Sequence, residues 1–364
     1  MTKQGATLYE VAEHAGVSIA TVSRVARGVD QVAPETRRKV LDAIQELNYR
    51  ASHLGRALVN RRNDTLGIVT PGLSGPYFAD VVQSFAEETL AARMSLLLLG
   101  THLLGEADEQ VLGLADRGDG LAIMGGTIQP ELLHRLTSLG LPLVLVSQAR
   151  IEGIPTVRVD NITKTKALVH HLIADHGHRD LAFAGWIHGN PDATERWQAF
   201  VEAHREAGLE PPAEPLHAPF STNSGAEIWA QLAARDRLPD ALVCGNDEMA
   251  IGVIDTLKAR GVHVPEDIAV TGWDDIAMAR VVSSPLTTVR QPTRELGRSA
   301  ARMLLDSING QSSTIDELVL PCELVIRESC GCPAAARDAY TEGHDGLPAA
   351  TARTVHRKET HDDE

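Results

Sequence analysis

Three polar pairs stand directly after apolar runs in this 364-residue chain: Asp160-Asn161 after TVRV, Asn246-Asp247 after ALVCG, and Asp274-Asp275 after AVTGW. Arg196 follows the loop from Gly189 to Asp192. Carboxylates and amides exchange paired hydrogen bonds with vicinal hydroxyls, and the planar guanidinium of Arg adds a fork. If the apolar runs are parallel strands, these groups lie beyond their carboxyl ends, where open α/β sheets hold ligands. Such a set suits a sugar or polyol. Asp247 and Asp275 serve equally well as helix caps. Trp186 and Trp273 end runs nearby and can either stack on a sugar face or pack in the core, while Trp197 and Trp229 fall within helical stretches and read as core.

Other chemistries find less support. Adjacent acids such as Asp274 and Asp275 invite an acid/base or metal reading, but neighbours on a loop usually point apart. The chain has no G-x-G-x-x-G, no Walker A loop and no G-x-S-x-G elbow. His170, His171, His176 and His178 crowd one stretch without a recognised zinc spacing and read as a solvated helix end with its turn. Cys322, Cys330 and Cys332 bring only three thiols near one another in sequence. The expectation is a protein that is not an enzyme, with no cofactor and no metal.

A second set of residues lies at the other end of the chain. The stretch Thr7 to Gly28 reads as two short helices joined by a tight turn. Thr7 and Glu10 have the spacing of a capping box. Leu8, Val11, Ala12 and Ala15 share one helical face. Gly16 permits a left-handed turn, and Ser18 caps the second helix. Val22, Val25 and Ala26 turn inward on that helix, whereas Ile19, Ala20, Thr21, Ser23 and Arg24 turn outward. Two capped helices around a Gly turn occur in many folds, and also in the DNA-reading motif whose second helix meets base edges. A third helix is expected from Pro34 to Leu47, with Val40, Ala43, Ile44 and Leu47 inward. Its Arg37, Arg38 and Lys39 are either a solvated face or phosphate contacts.

From Thr65 onward apolar strands alternate with helices. LGIVTPG, SLLLLGT, GLAIMGG, PLVLVSQ and TVRVDN form a first set of strands, and DLAFAGW, PLHAP, DALVCGND, DIAVTGWDD and LTTVRQ a second. Helices are expected between them, including Phe78 to Arg93, Pro130 to Leu139, Thr194 to Gly208 and Glu248 to Arg260. A final helix from Arg294 to Asn309 precedes ELVLP and ELVIRESCG. This βαβ alternation implies parallel sheets with helices on both faces, and about ten strands imply two similar lobes.

Net charge is −15, which at first argues against a nucleic-acid partner. Its distribution answers that objection. Residues 1–62 carry ten Lys and Arg against six Asp and Glu, net +4, and the remainder carries −19. A basic head on an acidic body is what is expected when only the head meets phosphate. Four cysteines suggest no disulfide framework, and no apolar run reads as a signal peptide or reaches membrane-spanning length, so a cytoplasmic location without membrane contact is expected.

The Thr7–Gly28 run resembles the helix-turn-helix of the lactose-repressor (LacI) family of bacterial transcription regulators. Matching fragments continue in the expected order: VDN, HGHRDLAFAG, ERWQAF, VCGNDEMAIGVI, VPEDIAVTGWDD, SPLTTVRQP and ELVIRES. The resemblance implies an all-α helix-turn-helix domain over residues 1–49, a linker with a hinge helix over 50–62, and a two-lobed body like periplasmic binding proteins over 63–332. Residues 333–364 have no apolar period and are expected to lack structure. DNA contact is implied for Thr7, Leu8, Ser18, Ile19, Ala20, Thr21, Ser23, Arg24, Arg27, Ser52, His53 and Leu58, the last as a minor-groove wedge. Ala51-Ser52 stands where the family often has Pro-Asn, and Gly55 where it commonly has Ala. Effector contact is implied for Ser74, Tyr77, Asp160, Arg196, Asn246, Asp247, Asp274 and Gln291. The expected partners are a double-stranded DNA operator, a sugar-like effector and a second copy of the chain. A nucleoside or other small molecule acting as co-repressor is the alternative. A sugar-binding transport protein is disfavoured by the basic head.

A Leu wedge trades base unstacking for a bent duplex. Leu58→Ala is expected to weaken binding to a specific operator by about tenfold or more while leaving non-specific duplex binding within about twofold, since the lost contact exists only on the bent site. Gel shifts on both DNAs check this, and equal losses would remove Leu58 from the role.

Overall fold

The computed structural model describes residues 6–26, 32–49, 62–101, 107–311, 315–333 and 352–356. They form two compact units that divide after Asp64. Arg27, Ser52, His53 and Leu58 lie outside the described residues.

The first unit has three helices: α1 (Leu8–Ala15), α2 (Ile19–Ala26) and α3 (Pro34–Glu46). The capping box forms as its spacing predicts. The Thr7 hydroxyl accepts from the Glu10 N–H at 3.3 Å, and the Glu10 carboxylate accepts from the Thr7 N–H at 2.6 Å. Gly16 takes the left-handed conformation at φ 65° that ends α1. The Ser18 hydroxyl accepts from the Thr21 N–H at 3.2 Å and so tethers the start of α2. Val11, Ala12, Val22, Val25, Val40 and Ala43 make the core. Ala26, expected inward, is exposed, so α2 buries a narrower stripe than its sequence suggests.

The second unit opens with β1 (Thr65–Thr70), α4 (Pro76–Ala91), β2 (Ser95–Gly100), α5 (Asp108–Ala115), β3 (Gly120–Met124), α6 (Pro130–Ser138), β4 (Leu143–Val146) and β5 (Thr156–Val159). There follow α7 (Asn161–Ala174), β6 (Leu181–Ala184), α8 (Pro191–Glu206), α9 (Gly225–Ala233), β7 (Ala241–Cys244), α10 (Asp247–Lys258) and β8 (Ala269–Thr271). Last come β9 (Thr288–Arg290), α11 (Thr293–Ile308), β10 (Ile315–Leu320), β11 (Glu323–Val325) and β12 (Arg353–His356).

Two mostly parallel sheets result. One lobe holds the order β12-β10-β5-β4-β3-β1-β2, the other β6-β7-β8, and β9 pairs with β11 in an antiparallel ribbon. Central strands β1, β3 and β4 are buried along their whole length, which explains their uninterrupted apolar sequences. Strand β2 is an edge strand: Leu96, Leu97 and Leu99 are half-covered and Leu98 is exposed. The chain leaves the larger sheet after β5, returns to it through α11, which packs on α4, and leaves again after β10. At the first and last of these crossings the Asp160 N–H donates to the Leu320 carbonyl at 2.9 Å.

Two sequence expectations change. PLHAP forms no strand: Leu216 makes an isolated bridge to Ala184, because two prolines leave too few donors for a ladder. The tail expected to lack structure supplies β12, which pairs antiparallel with β10. Its Arg-Thr-Val-His sequence is too short to read as a strand without the edge it pairs with.

The α4–α11 crossing depends on one glycine. A Cβ at Gly297 would lie 2.2 Å from the Val81 carbonyl oxygen and 2.3 Å from the Ser84 hydroxyl. In an exposed helix Gly→Ala stabilises by about 1 kcal/mol. Here the backbone contact reverses the sign, and Gly297→Ala is expected to lose about 1–3 kcal/mol as an overpacked core site. A lower urea midpoint with unchanged slope checks it.

Candidate functional site

The outward side of α2 carries Ser18, Ile19, Ala20 and Arg24, all exposed, with Thr21 and Ser23 half-covered. Ile19 and Ala20 lack hydrogen-bonding groups and suit apolar contact such as thymine methyls. Thr7 is exposed and its side chain is engaged with Glu10, while Leu8 packs half-buried against the helical core. Tyr9, beside them and 71% exposed, was not singled out by spacing, yet it places a phenol on the same unit's surface. Lys39 pairs with Glu35 at 3.2 Å along α3, the behaviour of a solvated face.

The polar residues of the body converge on the carboxyl ends of β6, β7 and β8 and on the crossings between lobes. Arg196, on the second turn of α8, is 6% exposed. Its Nε donates to the Asn161 side-chain oxygen at 2.9 Å and its Nη1 to the Gly245 carbonyl at 2.8 Å. The guanidinium lies 4.4 Å from the centre of the Trp273 ring. Asn161 is held in turn, donating to Asp192 at 2.8 Å and to Glu195 at 2.9 Å. Gly185 and Gly245 end their strands against the Phe220 ring, which a Cβ at Gly245 would meet at 2.7 Å.

Asp274 sits beside this group at φ 123°, and Asp275 follows at φ 54°. Two successive non-glycine residues there cost about 1–3 kcal/mol each and persist only where their surroundings fix them. The Gln291 amide donates to Asp274 at 2.5 Å. Burial pushes the Asp274 carboxyl well above the ordinary carboxylate range, opposed by the charge of Arg196. Two buried polar atoms here, the Gln291 side-chain oxygen and the Trp273 indole N–H, have no hydrogen-bond partner among the described residues.

In the lobe of the larger sheet, Tyr77 on the first turn of α4 shares a 3.0 Å hydrogen bond with Ser147, just after β4. Burial raises the Tyr77 phenol above its ordinary value, as does the charge of Asp192, and Asp274 and Arg196 are near enough to act on it too. The lobes touch closely here: a Cβ at Gly126 would meet the Gly189 carbonyl, and one at Gly75 the Glu248 carboxylate.

The remaining expected residues divide. Asn246 caps α10, its side-chain oxygen accepting from the Met249 N–H at 3.0 Å. Asp160 caps α7, accepting from the N–H groups of Ile162 and Thr163. Asp247 neither caps its helix nor opens to the cleft. It is fully buried, accepting from the Thr288 hydroxyl at 2.6 Å and the Ile276 N–H at 2.9 Å, so the expected effector contact there gives way to a tie between β9 and the loop after β8. Burial pushes its pKa up to about 6. Ser74 is exposed on the loop after β1. Asp275, read as a possible helix cap, is an ion-pair hub: it accepts from Arg327, from Arg290 at 2.8 Å and from Arg280 at 3.2 Å. Trp273 packs under Arg196, whereas Trp186 is exposed, edge-on to His188 and His217. Sequence reasoning passes over Asp192, Ser147 and Phe220, and it names Asn161 without assigning it a contact. Of these, Asp192 carries a local signal, four residues before Arg196 on one helix.

Comparisons with known proteins bear on both regions. Residues 7–52 match the model of bacterial regulatory proteins of the lacI family, and residues 169–330 match the periplasmic binding protein-like domain. The HTH-type transcriptional repressor PurR of Pasteurella multocida is 34% identical over 328 residues, 89% of this chain and 98% of that protein. This chain belongs to the lacI family. Among solved structures, the Lac repressor dimer bound to operator and the anti-inducer ONPF superposes with a TM-score of 0.78 at 26% identity, covering 90% and 99% of the two chains. The transcriptional regulator CelR–cellobiose complex gives 0.63 at 31% identity, covering 89% and 99%. As a lacI-family protein, this chain is a DNA-binding transcription regulator with a helix-turn-helix head and a periplasmic-binding-protein-like body. No helix among its described residues is long and apolar enough to cross a membrane.

The Asp275 hub sets a pH dependence. Burial alone would raise its carboxyl, but hydrogen bonds from Arg327 and Arg290 outweigh that and hold it below 3.8. A depressed carboxylate stabilises the fold above its unfolded pKa and loses that contribution as pH falls through the folded one. Asp275→Ala is expected to lose about 3–5 kcal/mol at neutral pH, because Arg327 stays buried without its partner. The deficit should shrink in acid below 3.8. Thermal melts of both proteins from neutral pH to acid check the sign.

Proposed function

We propose that this lacI-family regulator is a repressor that binds a near-palindromic operator as a homodimer and is released when a sugar-like effector closes its two lobes. Each α2 would lie in a major groove of one half-site, and two-fold symmetry of the protein would be mirrored in the operator. The observation that carries the effector reading is the buried Arg196–Asn161–Asp192 group beside Asp274–Gln291, facing Tyr77 of the other lobe. It offers a guanidinium, a carboxyl that burial favours in its protonated form, and two unpartnered polar atoms. A ring of hydroxyls can satisfy donors and acceptors at once. The CelR structure at 31% identity holds a sugar, cellobiose, which supports the same class here.

With Asp247 and Asp160 engaged within the protein, the contact set narrows to Tyr77, Arg196, Asp274 and Gln291, with Asn246 offering its amide nitrogen. The homodimer reading is supported by exposed apolar side chains on both lobes, among them Leu73, Leu90 and Leu98 in one and Met278 and Val281 in the other. Effector and operator would be linked reciprocally: whatever the effector takes from DNA affinity, DNA takes from effector affinity. The cytoplasmic placement follows from the DNA partner.

Thermal-shift screening of the full chain against sugars, nucleosides and sugar phosphates tests the effector class, since a ligand at 100 times its Kd adds about 2.7 kcal/mol. A shift by nucleosides alone would reverse the choice in favour of the co-repressor reading. Asp274→Asn is expected to lower affinity for the sugar so identified by roughly tenfold or more, ~1.4 kcal/mol, while operator binding without effector stays within about twofold. Titrating gel shifts with the sugar reads both, and an unchanged inducer response would remove Asp274 from the site.

A further inference from the structure

The regulatory reading leaves one side-chain cluster of the body unexplained, outside the polar cleft group. His171 on the last turn of α7 and His176 in the turn after it face Cys330 and Cys332 of the segment following β11. His171 and Cys330 are 159 residues apart, so neither segment shows a metal-binding spacing by itself. The His171 ring is 4% exposed and Cys330 1%, which corrects the reading of a solvated histidine turn. His170 keeps that reading, partly exposed and paired with Glu206 at 3.0 Å, whereas His178 is half-buried and stacks on His176.

Three heteroatoms converge on one nitrogen. His171 Nε2 lies 3.2 Å from His176 Nε2, 3.5 Å from Cys330 Sγ and 3.7 Å from Cys332 Sγ, and Cys332 Sγ lies 3.3 Å from His176 Nε2. A single imidazole nitrogen has one lone pair or one hydrogen, so it cannot bond all three partners. A shared cation can. With Zn–N of about 2.0–2.1 Å and Zn–S of about 2.3 Å, a tetrahedron has edges of roughly 3.3 Å between nitrogens and roughly 3.5 Å from nitrogen to sulfur. The four separations match these edges. All four ligand atoms lie within 4.8 Å of one another, and no other group of three or more such side chains gathers in this way among the described residues.

The surroundings are those of a metal ligand set. His171 Nδ1 lies 2.7 Å from the Asp175 carboxylate, so its N–H is directed there and Nε2 is left as the lone-pair donor. Histidine ligands of zinc are oriented by such a carboxylate. The Thr287 hydroxyl lies 3.0 Å from the Arg327 carbonyl and 3.1 Å from Cys330 Sγ, and the Cys330 thiol lies 3.3 Å from the same carbonyl, so the hydroxyl is placed to donate to the sulfur once the thiol proton is lost. Gly331 turns the chain at φ 103°, which lets two cysteines flanking one residue face the same point.

We propose that His171, His176, Cys330 and Cys332 bind one zinc ion that clamps the end of α7 to the segment after β11. Each thiol gives up its proton to solvent as it binds, and both imidazoles bind neutral. The helix clamped at this end carries Asn161, the partner of Arg196, at its other end. The site stands independently of which effector the cleft takes.

Untagged full-length protein, purified with a phosphine reductant and without chelator, should contain about one zinc per chain by elemental analysis, the stoichiometry of a closed four-ligand site. After zinc is stripped, Co²⁺ should give the intense ligand-field bands of a tetrahedral site with thiolate charge transfer. Cys330→Ser/Cys332→Ser and His171→Asn/His176→Asn should lose both metal and bands, and Cys244→Ser should keep them. Stripping zinc should lower the melting temperature by about 5 °C or more. Folded, reduced wild-type protein that takes up no zinc, an octahedral Co²⁺ spectrum without charge transfer, a Cys330–Cys332 disulfide persisting in reductant, or zinc retained by both double variants would each overturn the proposal. The wild-type spectrum decides the matter even if the variants fail to fold.

Discussion

Arg196 holds its guanidinium charge almost out of water. A buried charge is tolerable only when it is paired and hydrogen-bonded. Much of the cleft follows from that requirement. Asn161 must turn its oxygen toward Nε, so its nitrogen needs acceptors, and Asp192 and Glu195 provide them. The end of β7 must leave the Gly245 carbonyl open to Nη1. Trp273 supplies its ring face instead of a further hydrogen bond. The guanidinium therefore ties together the starts of α7 and α8 and the ends of β7 and β8, each of which reaches the site from a different stretch of the chain.

The same site lies where the lobes join. β5 and β10 belong to the larger sheet, yet the residues following them enter the other lobe, and Gln291 marks the passage back. A group that bonds Tyr77 on one side and Arg196 or Asp274 on the other interacts with two bodies at once. That is the differential contact a ligand needs in order to shift an equilibrium between open and closed lobes. The next residue, Asp275, has a different role: Arg290 and Arg327 hold the β9–β11 ribbon and the segment after β11 against the loop after β8, and Arg280 closes on Asp275 within that loop. Neighbouring acids thus split into one facing the site and one serving the framework.

Much of this was legible in the residues. The capping box at Thr7 and Glu10, the Gly16 turn and the valine stripe of α2 are short-range features, and they formed as their spacing predicts, apart from the exposure of Ala26. Strands β1, β3 and β4 are apolar because both faces are covered, and their sequences read as strands for that reason. PLHAP departs from its expected strand because its two prolines leave too few donors for a ladder, and β12 departs from its expected lack of structure because an edge strand's status depends on its partner. Asp247 looked like a cleft residue because it follows a strand. Its burial depends on Thr288 and Ile276, which are 41 and 29 residues away.

Sequence alone determined the order of elements, the basic head on the acidic body, the helix-turn-helix and the family. The first two rest on local periodicity, capping and charge, which act over a few residues or add up along the chain; the helix-turn-helix reading and the family rest on the resemblance of the matching fragments. Tertiary structure alone decided which acids face the cleft and which are tied up inside, which tryptophan lies under Arg196, and that two histidines meet two cysteines from the far end of the body. Such pairings are set by where β5, β10 and α11 carry the chain between lobes. Packing brings together side chains that no sequence spacing relates.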